Sequence, residues 1–167
     1  MKTTNNIILD DHQINQKIKR IAYQIYEANC NENELVIAGI QGNGYHFAKS
    51  ISTILKEISP LAIVLCEVLI NKKKPLNSVS ISIEVSDYKN KSIVLVDDVL
   101  NSGTTLMYGI KYFLEVPLKR FKTAVLVDRN HKKYPVKADF KGISLSTSTK
   151  EHVEVVFDKN QRIAYLM

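Results

Sequence analysis

Residues 93–105 read IVLVDDVLNSGTT, and the fold follows from how this stretch is understood. Ile93, Val94, Leu95 and Val96 form a continuous apolar, mostly β-branched run, as expected of a strand buried on both faces in a parallel sheet. Two carboxylates, Asp97 and Asp98, arrive at its end. In open α/β sheets ligands bind outside the carboxyl ends of the strands, so this pair falls where a site is expected. Asn101, Ser102, Gly103, Thr104 and Thr105 are small or hydroxylated and lead into a helical pattern at Leu106, Ile110 and Leu114. A helix start offers unpaired N–H groups and the positive end of the helix dipole, and the hydroxyls add donors, so the segment suits a phosphate. Taken alone, the same residues also fit a solvated acidic turn and an ordinary helix cap.

Working outward, Leu35 to Ile40 reads as another buried strand, and it runs into Gly39, Ile40, Gln41, Gly42, Asn43 and Gly44. The chain has six glycines, and four of them, Gly39, Gly42, Gly44 and Gly103, fall in these two strand-to-helix turns. A missing side chain there lets backbone approach a ligand or adopt unusual dihedrals. Upstream, Asp10 or Asp11 can cap an amphipathic helix whose Ile14, Ile18, Ile21 and Ile25 share one face. A second helix is predicted over residues 45–56, with Phe47, Ile51, Ile54 and Leu55 inward, stopping before Pro60. Strands are predicted over 61–69 and 79–85. Between them lies a basic, hairpin-like segment, residues 70–78, carrying Lys72, Lys73 and Lys74; a lysine run of this kind is either a solvated loop or a working one. Downstream, residues 121–127 form a further strand ending at Asp128, followed by an irregular basic segment and two closing strands at 153–157 and 162–166.

A chain of 167 residues has the size of one domain and can bury a sizeable core. Hydrophobic content of 45% with charge spread along the chain fits a globular protein, and no apolar run approaches the length of a bilayer span. The N-terminal residues lack the apolar core of a secretion signal, and Cys30 and Cys66 form neither a disulfide framework nor a metal-spaced set, so a cytoplasmic location is expected. A net charge of +6 and a pI near 9.2 fit an anionic ligand, either a phosphorylated metabolite or RNA.

The stretch at 93–105 resembles the signature of the type I phosphoribosyltransferases. The opening ILDDHQINQKIKRIAYQI, the GIQGNG turn and the later VDRNHKKYPVKADFKG resemble the bifunctional uracil phosphoribosyltransferase and pyrimidine-operon attenuator family over nearly the whole chain. The resemblance implies one α/β domain over residues 1–167, a mainly parallel sheet flanked by helices, with a small hood from residues about 129–150 and the C-terminal strands. It implies transfer of ribose 5-phosphate from phosphoribosyl pyrophosphate to a nucleobase, giving a nucleoside monophosphate and pyrophosphate. Asp97 and Asp98 would face the ribose hydroxyls and Mg2+, partly through water. Asn101, Ser102, Gly103, Thr104 and Thr105 would wrap the ribose phosphate, and residues Gly39 to Gly44 would bind pyrophosphate. Lys72, Lys73 and Lys74 would sit on a lid closing over it, which would keep water from a cation-like transition state. Asp128, Phe140 and Lys141 would meet the base.

Uracil is the base expected. In the related 6-oxopurine enzymes the position of Asn101 is acidic, and asparagine cannot take a proton at neutral pH. Those enzymes place a donating lysine at the position of Asp128, which the uracil family fills with aspartate. The chain departs from the uracil family in having Gly42 and Asn43 where its pyrophosphate loop carries arginine, lysines where its lid carries arginine, and Asn101 where it carries tyrosine. A second reading is an RNA-binding regulator that senses pyrimidine nucleotides, with His131, Lys132 and Lys137 on the RNA face; a third is a 6-oxopurine enzyme; a fourth is a nucleotide-binding module without catalysis. By analogy with the family, the chain would form a homo-oligomer, as a dimer.

Overall fold

The computed structural model describes residues 6–76, 78–148, 150–158 and 161–167. The first element is a short strand, β1 (Asn6–Leu9), which the sequence pattern did not announce. Helix α1 (Asp11–Ala28) is capped by Asp10, whose carboxylate accepts from the Gln13 N–H at 2.8 Å while Gln13 Oε1 accepts from the Asp10 N–H at 3.0 Å. This reciprocal box satisfies two donors that a helix start otherwise leaves unpaired. As expected, Ile14, Ile18, Ile21 and Ile25 are buried.

Strand β2 (Glu34–Ile40), helix α2 (Asn43–Ile58) and strand β3 (Ala62–Leu69) follow. The strand predicted over 79–85 is reduced to β4 (Ser80–Ile81), antiparallel to β3. The chain then turns through the single-turn helix α3 (Val85–Tyr88), whose Glu84 and Asp87 cap it reciprocally. Carboxylates that satisfy local N–H groups favour a turn over a ladder.

The central strand, β5 (Ser92–Leu100), outruns the predicted apolar core and carries both aspartates within it. Helix α4 (Thr104–Phe113) buries Leu106, Gly109 and Phe113, whereas the expected Leu114 is 61% exposed. The phase differs because Gly109 lies against β5: a Cβ there would come within 2.9 Å of Leu95 Cδ2. Strand β6 (Arg120–Asp128) completes the centre of the sheet.

Strand β7 (Phe140–Ser144) corrects the expected hood boundary, because it pairs in parallel with β6 and forms the edge of the main sheet. The order is β4-β3-β2-β5-β6-β7, with five parallel strands and an antiparallel stub at one edge. β8 (Val153–Phe157) and β9 (Arg162–Leu166) fall where expected and join β1 in an antiparallel sheet ordered β1-β9-β8. The hood is therefore built from both ends of the chain.

Alternate residues of the central strands feed two cores. Leu35, Ile37, Val94, Val96, Ala124 and Leu126 pack with α1, α2 and the hood; Val36, Ala38, Ile93, Leu95 and Val125 pack with α3 and α4. Burial on both faces explains the unbroken apolar runs. The chain leaves β2 toward β3 on one side, while β5 lies on the other, so the crevice outside their carboxyl ends is the topological switch point.

Candidate active site

At that crevice a cleft of about 430 Å³ opens between the end of β5, the start of α4 and the hood strand β8. This is within the range of small-molecule sites. Its walls include Asp97, Asp98, residues 99–102, Gly103, Thr104, Thr105 and Leu106. Asn43, Lys72, Arg129 and residues 152–155 close the other sides. Asp97, Asp98, Asn101, Ser102, Gly103, Thr104 and Thr105 are thus brought together as the sequence led one to expect.

Asp97 is 2% exposed. Its Oδ1 accepts from the Asp98 N–H at 3.0 Å and from Lys72 Nζ at 3.2 Å; Lys72 Nζ also lies 3.7 Å from Asp98 Oδ1. Burial first, and then the neighbouring Asp98 charge, push the Asp97 carboxyl up to about 7 against the pull of Lys72. For Lys72, burial favours the neutral form, but Asp97 and Asp98 outweigh it and hold the ammonium above its ordinary value. A single ammonium facing two carboxylates marks a point where positive charge is favoured. Among the described residues no group of three or more His, Cys, Asp or Glu side chains could hold a metal ion. The pair nevertheless fits Mg2+, which takes one or two carboxylates and fills its remaining positions with water and substrate phosphate.

The loop after β5 reaches α4 through Gly103, whose φ of +84° sits in the left-handed region that glycine tolerates. Ser102 Oγ and Thr104 Oγ1 are 2.8 Å apart, and the Thr104 N–H donates to Ser102 Oγ at 3.3 Å. The basic segment after β6 buttresses this loop: the Lys133 and Tyr134 N–H groups both donate to Ser102 O, and Val136 packs on Gly103.

The glycine-rich turn after β2 behaves differently from expectation. Of Gly39, Ile40, Gln41, Gly42, Asn43 and Gly44, Asn43 is the residue on the cleft wall, and its Nδ2 donates to Val155 O of the hood at 2.6 Å. Gly42 has φ of +88° and open space around it. Gly44 serves a close approach within the protein, since a Cβ there would come within 2.9 Å of Asp97 Oδ1. Ile40 is a core residue.

In the lysine segment Lys72 reaches the cleft. Lys73 and Lys74 are exposed, and their N–H groups donate to Asn71 Oδ1 at 3.0 Å each in a tight turn. Asn77 of the expected lid lies outside the described residues.

Asp128, Phe140 and Lys141, expected at the base, are not among the residues lining the cleft. Phe140 is 9% exposed and packs in the core beneath the sheet edge. The β7–β6 pairing turns its ring inward, where a fully apolar environment favours it. Asp128 is 1% exposed and faces Lys132 Nζ and Lys141 Nζ, both at 3.5 Å, with the Asn130 N–H on its other oxygen at 3.1 Å. These three partners compensate its burial. Of the residues expected on an RNA face, Lys132 is taken by Asp128, His131 Nε2 meets Thr147 O, and Lys137 is exposed.

Arg129, His152 and Glu154 line the cleft without having been singled out from sequence. Arg129 had one legible signal, a cation immediately after a strand that ends at the site. The two hood residues had none, because nothing local places β8 over β5.

The phosphoribosyl transferase domain family matches residues 4–160. The bifunctional protein PyrR of Macrococcus caseolyticus is 32% identical over 160 residues, covering 92% of each chain. That of Caldicellulosiruptor bescii is 34% identical over 170 residues, covering 93% of this chain and 92% of the relative. Among solved structures, the hypoxanthine phosphoribosyltransferase of Trypanosoma cruzi superposes with a TM-score of 0.76 at 16% identity, covering 96% of this chain and 95% of that one. A hypoxanthine-guanine phosphoribosyltransferase of Bacillus anthracis gives 0.71 at 20% identity, covering 84% and 81%. At these identities the likeness to solved structures concerns the type I phosphoribosyltransferase fold.

Proposed function

Because the chain belongs to the phosphoribosyl transferase domain family, and its relatives include bifunctional PyrR proteins, we propose that it transfers ribose 5-phosphate from phosphoribosyl pyrophosphate to uracil. The observation that carries this reading is one cleft in which the Asp97–Asp98 pair and the hydroxyl-lined start of α4 face each other beneath the hood. The start of α4, with Ser102, Thr104 and Thr105, holds the 5′-phosphate through helix N–H groups and hydroxyls. Asp97 and Asp98 hold the ribose hydroxyls and Mg2+, which when bound neutralises charge on the departing pyrophosphate. Attack by the uracil ring nitrogen on the anomeric carbon forms the glycosidic bond as the bond to pyrophosphate breaks, and the ring proton passes to solvent. Little covalent chemistry is asked of the protein. It aligns the two partners, shields the ribosyl centre with β8, and places the Lys72 ammonium near developing negative charge. The uracil preference is supported by Asn101, which brings an amide to the cleft and no proton-accepting carboxylate.

The test is a panel of uracil, hypoxanthine and guanine assayed with phosphoribosyl pyrophosphate and Mg2+. Uridine monophosphate formation is expected, with hypoxanthine and guanine poor substrates; efficient guanine turnover with none for uracil would overturn the base assignment. The RNA-regulator reading draws on the exposed Lys133 and Lys137 of the basic segment after β6. It is examined by measuring whether RNA binding weakens with salt and responds to uridine monophosphate.

A further inference from the structure

The residue immediately after β6, Arg129, lines the cleft and is 4% exposed, and a buried guanidinium calls for an account of its partners. Its Nε and Nη2 donate to Thr147 Oγ1 at 3.1 and 3.0 Å, and Nη2 also reaches Ser148 O at 3.5 Å and Glu151 O. Its N–H donates to Leu100 O at 3.0 Å. The remaining arm, Nη1, donates to Asn101 Oδ1 at 3.2 Å. Arg129 therefore ties three segments together: the end of β6, the loop after β5, and the crossover into the hood.

A guanidinium has donors and no acceptor. The amide atom facing Arg129 must be the Asn101 oxygen, whatever orientation an asparagine amide would otherwise take. The NH2 group is then turned to the other side of an exposed residue that lines the cleft. Within the loop, Asn101 is the residue next to the hood crossover, away from the helix start that suits the phosphate. A substrate whose phosphate sits at the helix start would bring its base, at the other end of the nucleotide, toward this side of the loop.

We propose that Arg129 is a positioning residue for base choice: it fixes the Asn101 amide with its NH2 toward the cleft, so that the site takes a base presenting a carbonyl oxygen there. Uracil offers two such oxygens, O2 and O4. The inference rests on the uracil phosphoribosyltransferase reading and names the side chains that would enforce it. A carboxylate at position 101 would keep the Arg129 contact while turning the donor into a second acceptor, which opposes a carbonyl.

The test compares Asn101→Asp, Arg129→Met and Arg129→Lys with the unaltered protein, using uracil, 2-thiouracil and 4-thiouracil as bases and calorimetry of uridine monophosphate binding. Asn101→Asp is expected to raise KM for uracil by about 10- to 100-fold, since a hydrogen bond to the bound base is replaced by an acceptor facing an acceptor. The rise in KM for uracil should exceed any rise in KM for phosphoribosyl pyrophosphate, as expected of a contact made chiefly to the base. Arg129→Met should raise the uracil KM as well, and Arg129→Lys should recover part of the loss. A merely structural role would lower kcat and both affinities together without such rescue. In the unaltered protein, one thio analogue should bind much worse than the other, which identifies the oxygen that meets Asn101; equal behaviour of both overturns the proposal. Asn101 is exposed, so its variant keeps the test decisive even if Arg129→Met fails to fold. Unchanged uracil KM in an Asn101→Asp protein that still makes uridine monophosphate overturns this inference alone. Absence of both uridine monophosphate formation and binding in the unaltered protein overturns the proposed function and this inference with it.

Discussion

Replacing Asp97 by Asn should make the ligand-free protein more stable at neutral pH while removing its ability to hold Mg2+ and phosphoribosyl pyrophosphate. Asp97 is buried beside a second carboxylate, and its carboxyl is raised from the ordinary 3.8 to about 7. For an acid whose folded value lies above its unfolded value, the stabilising contribution is complete below the unfolded value and is lost as pH rises through the folded one. The ionised form therefore burdens the fold above about pH 7. A displacement of roughly three pH units, at about 1.4 kcal/mol each, corresponds to on the order of 4 kcal/mol. Relaxation and water entry around a buried charge bring the gain to look for down to roughly 2 kcal/mol. In a chain of this length that raises Tm by about 4–8 °C. Asparagine keeps an oxygen for the Asp98 N–H, so the local hydrogen bond survives. The assay is thermal unfolding of both proteins from about pH 4.5 to about pH 8, where the Asn variant's advantage should grow across that window from little to its full value. A variant less stable at every pH, or an advantage independent of pH, would refute the account of Asp97 as a strained, partly protonated acid.

Lys72→Ala should tighten Mn2+ binding to the ligand-free protein, measured by electron paramagnetic resonance, because the ammonium no longer competes at the Asp97–Asp98 pair; it should lower turnover all the same. Gly44→Ala should reduce phosphoribosyl pyrophosphate affinity at least about tenfold in calorimetry, because its methyl would lie 2.9 Å from Asp97 Oδ1 and displace that carboxylate. The fold should survive this change at a cost of about 1–3 kcal/mol. Asn43→Ala, which removes the 2.6 Å bond to Val155 O, should increase hydrogen exchange across residues 153–157 and leave the central strands protected.

The sequence by itself determined the elements whose causes are local. The apolar run before Asp97, the loop into α4, a cap at Asp10 or Asp11, the isoleucine face of α1 and the two closing strands are all written within a few residues. So were the carboxylates and hydroxyls of the cleft, because strand, loop and helix start are contiguous. What only the tertiary structure decided depends on residues distant in the chain. Lys72 meets Asp97 across 25 positions, and Arg129 meets Asn101 across 28. β1 finds β9 at the opposite end of the chain. The phase of α4 was misread because Gly109, which carries no hydrophobic signal, is the residue the sheet admits. Phe140 and Asp128 follow the same rule. Pairing of β7 with β6 buried the Phe140 ring, and Asp128, buried at the end of β6, took the two cations within its reach.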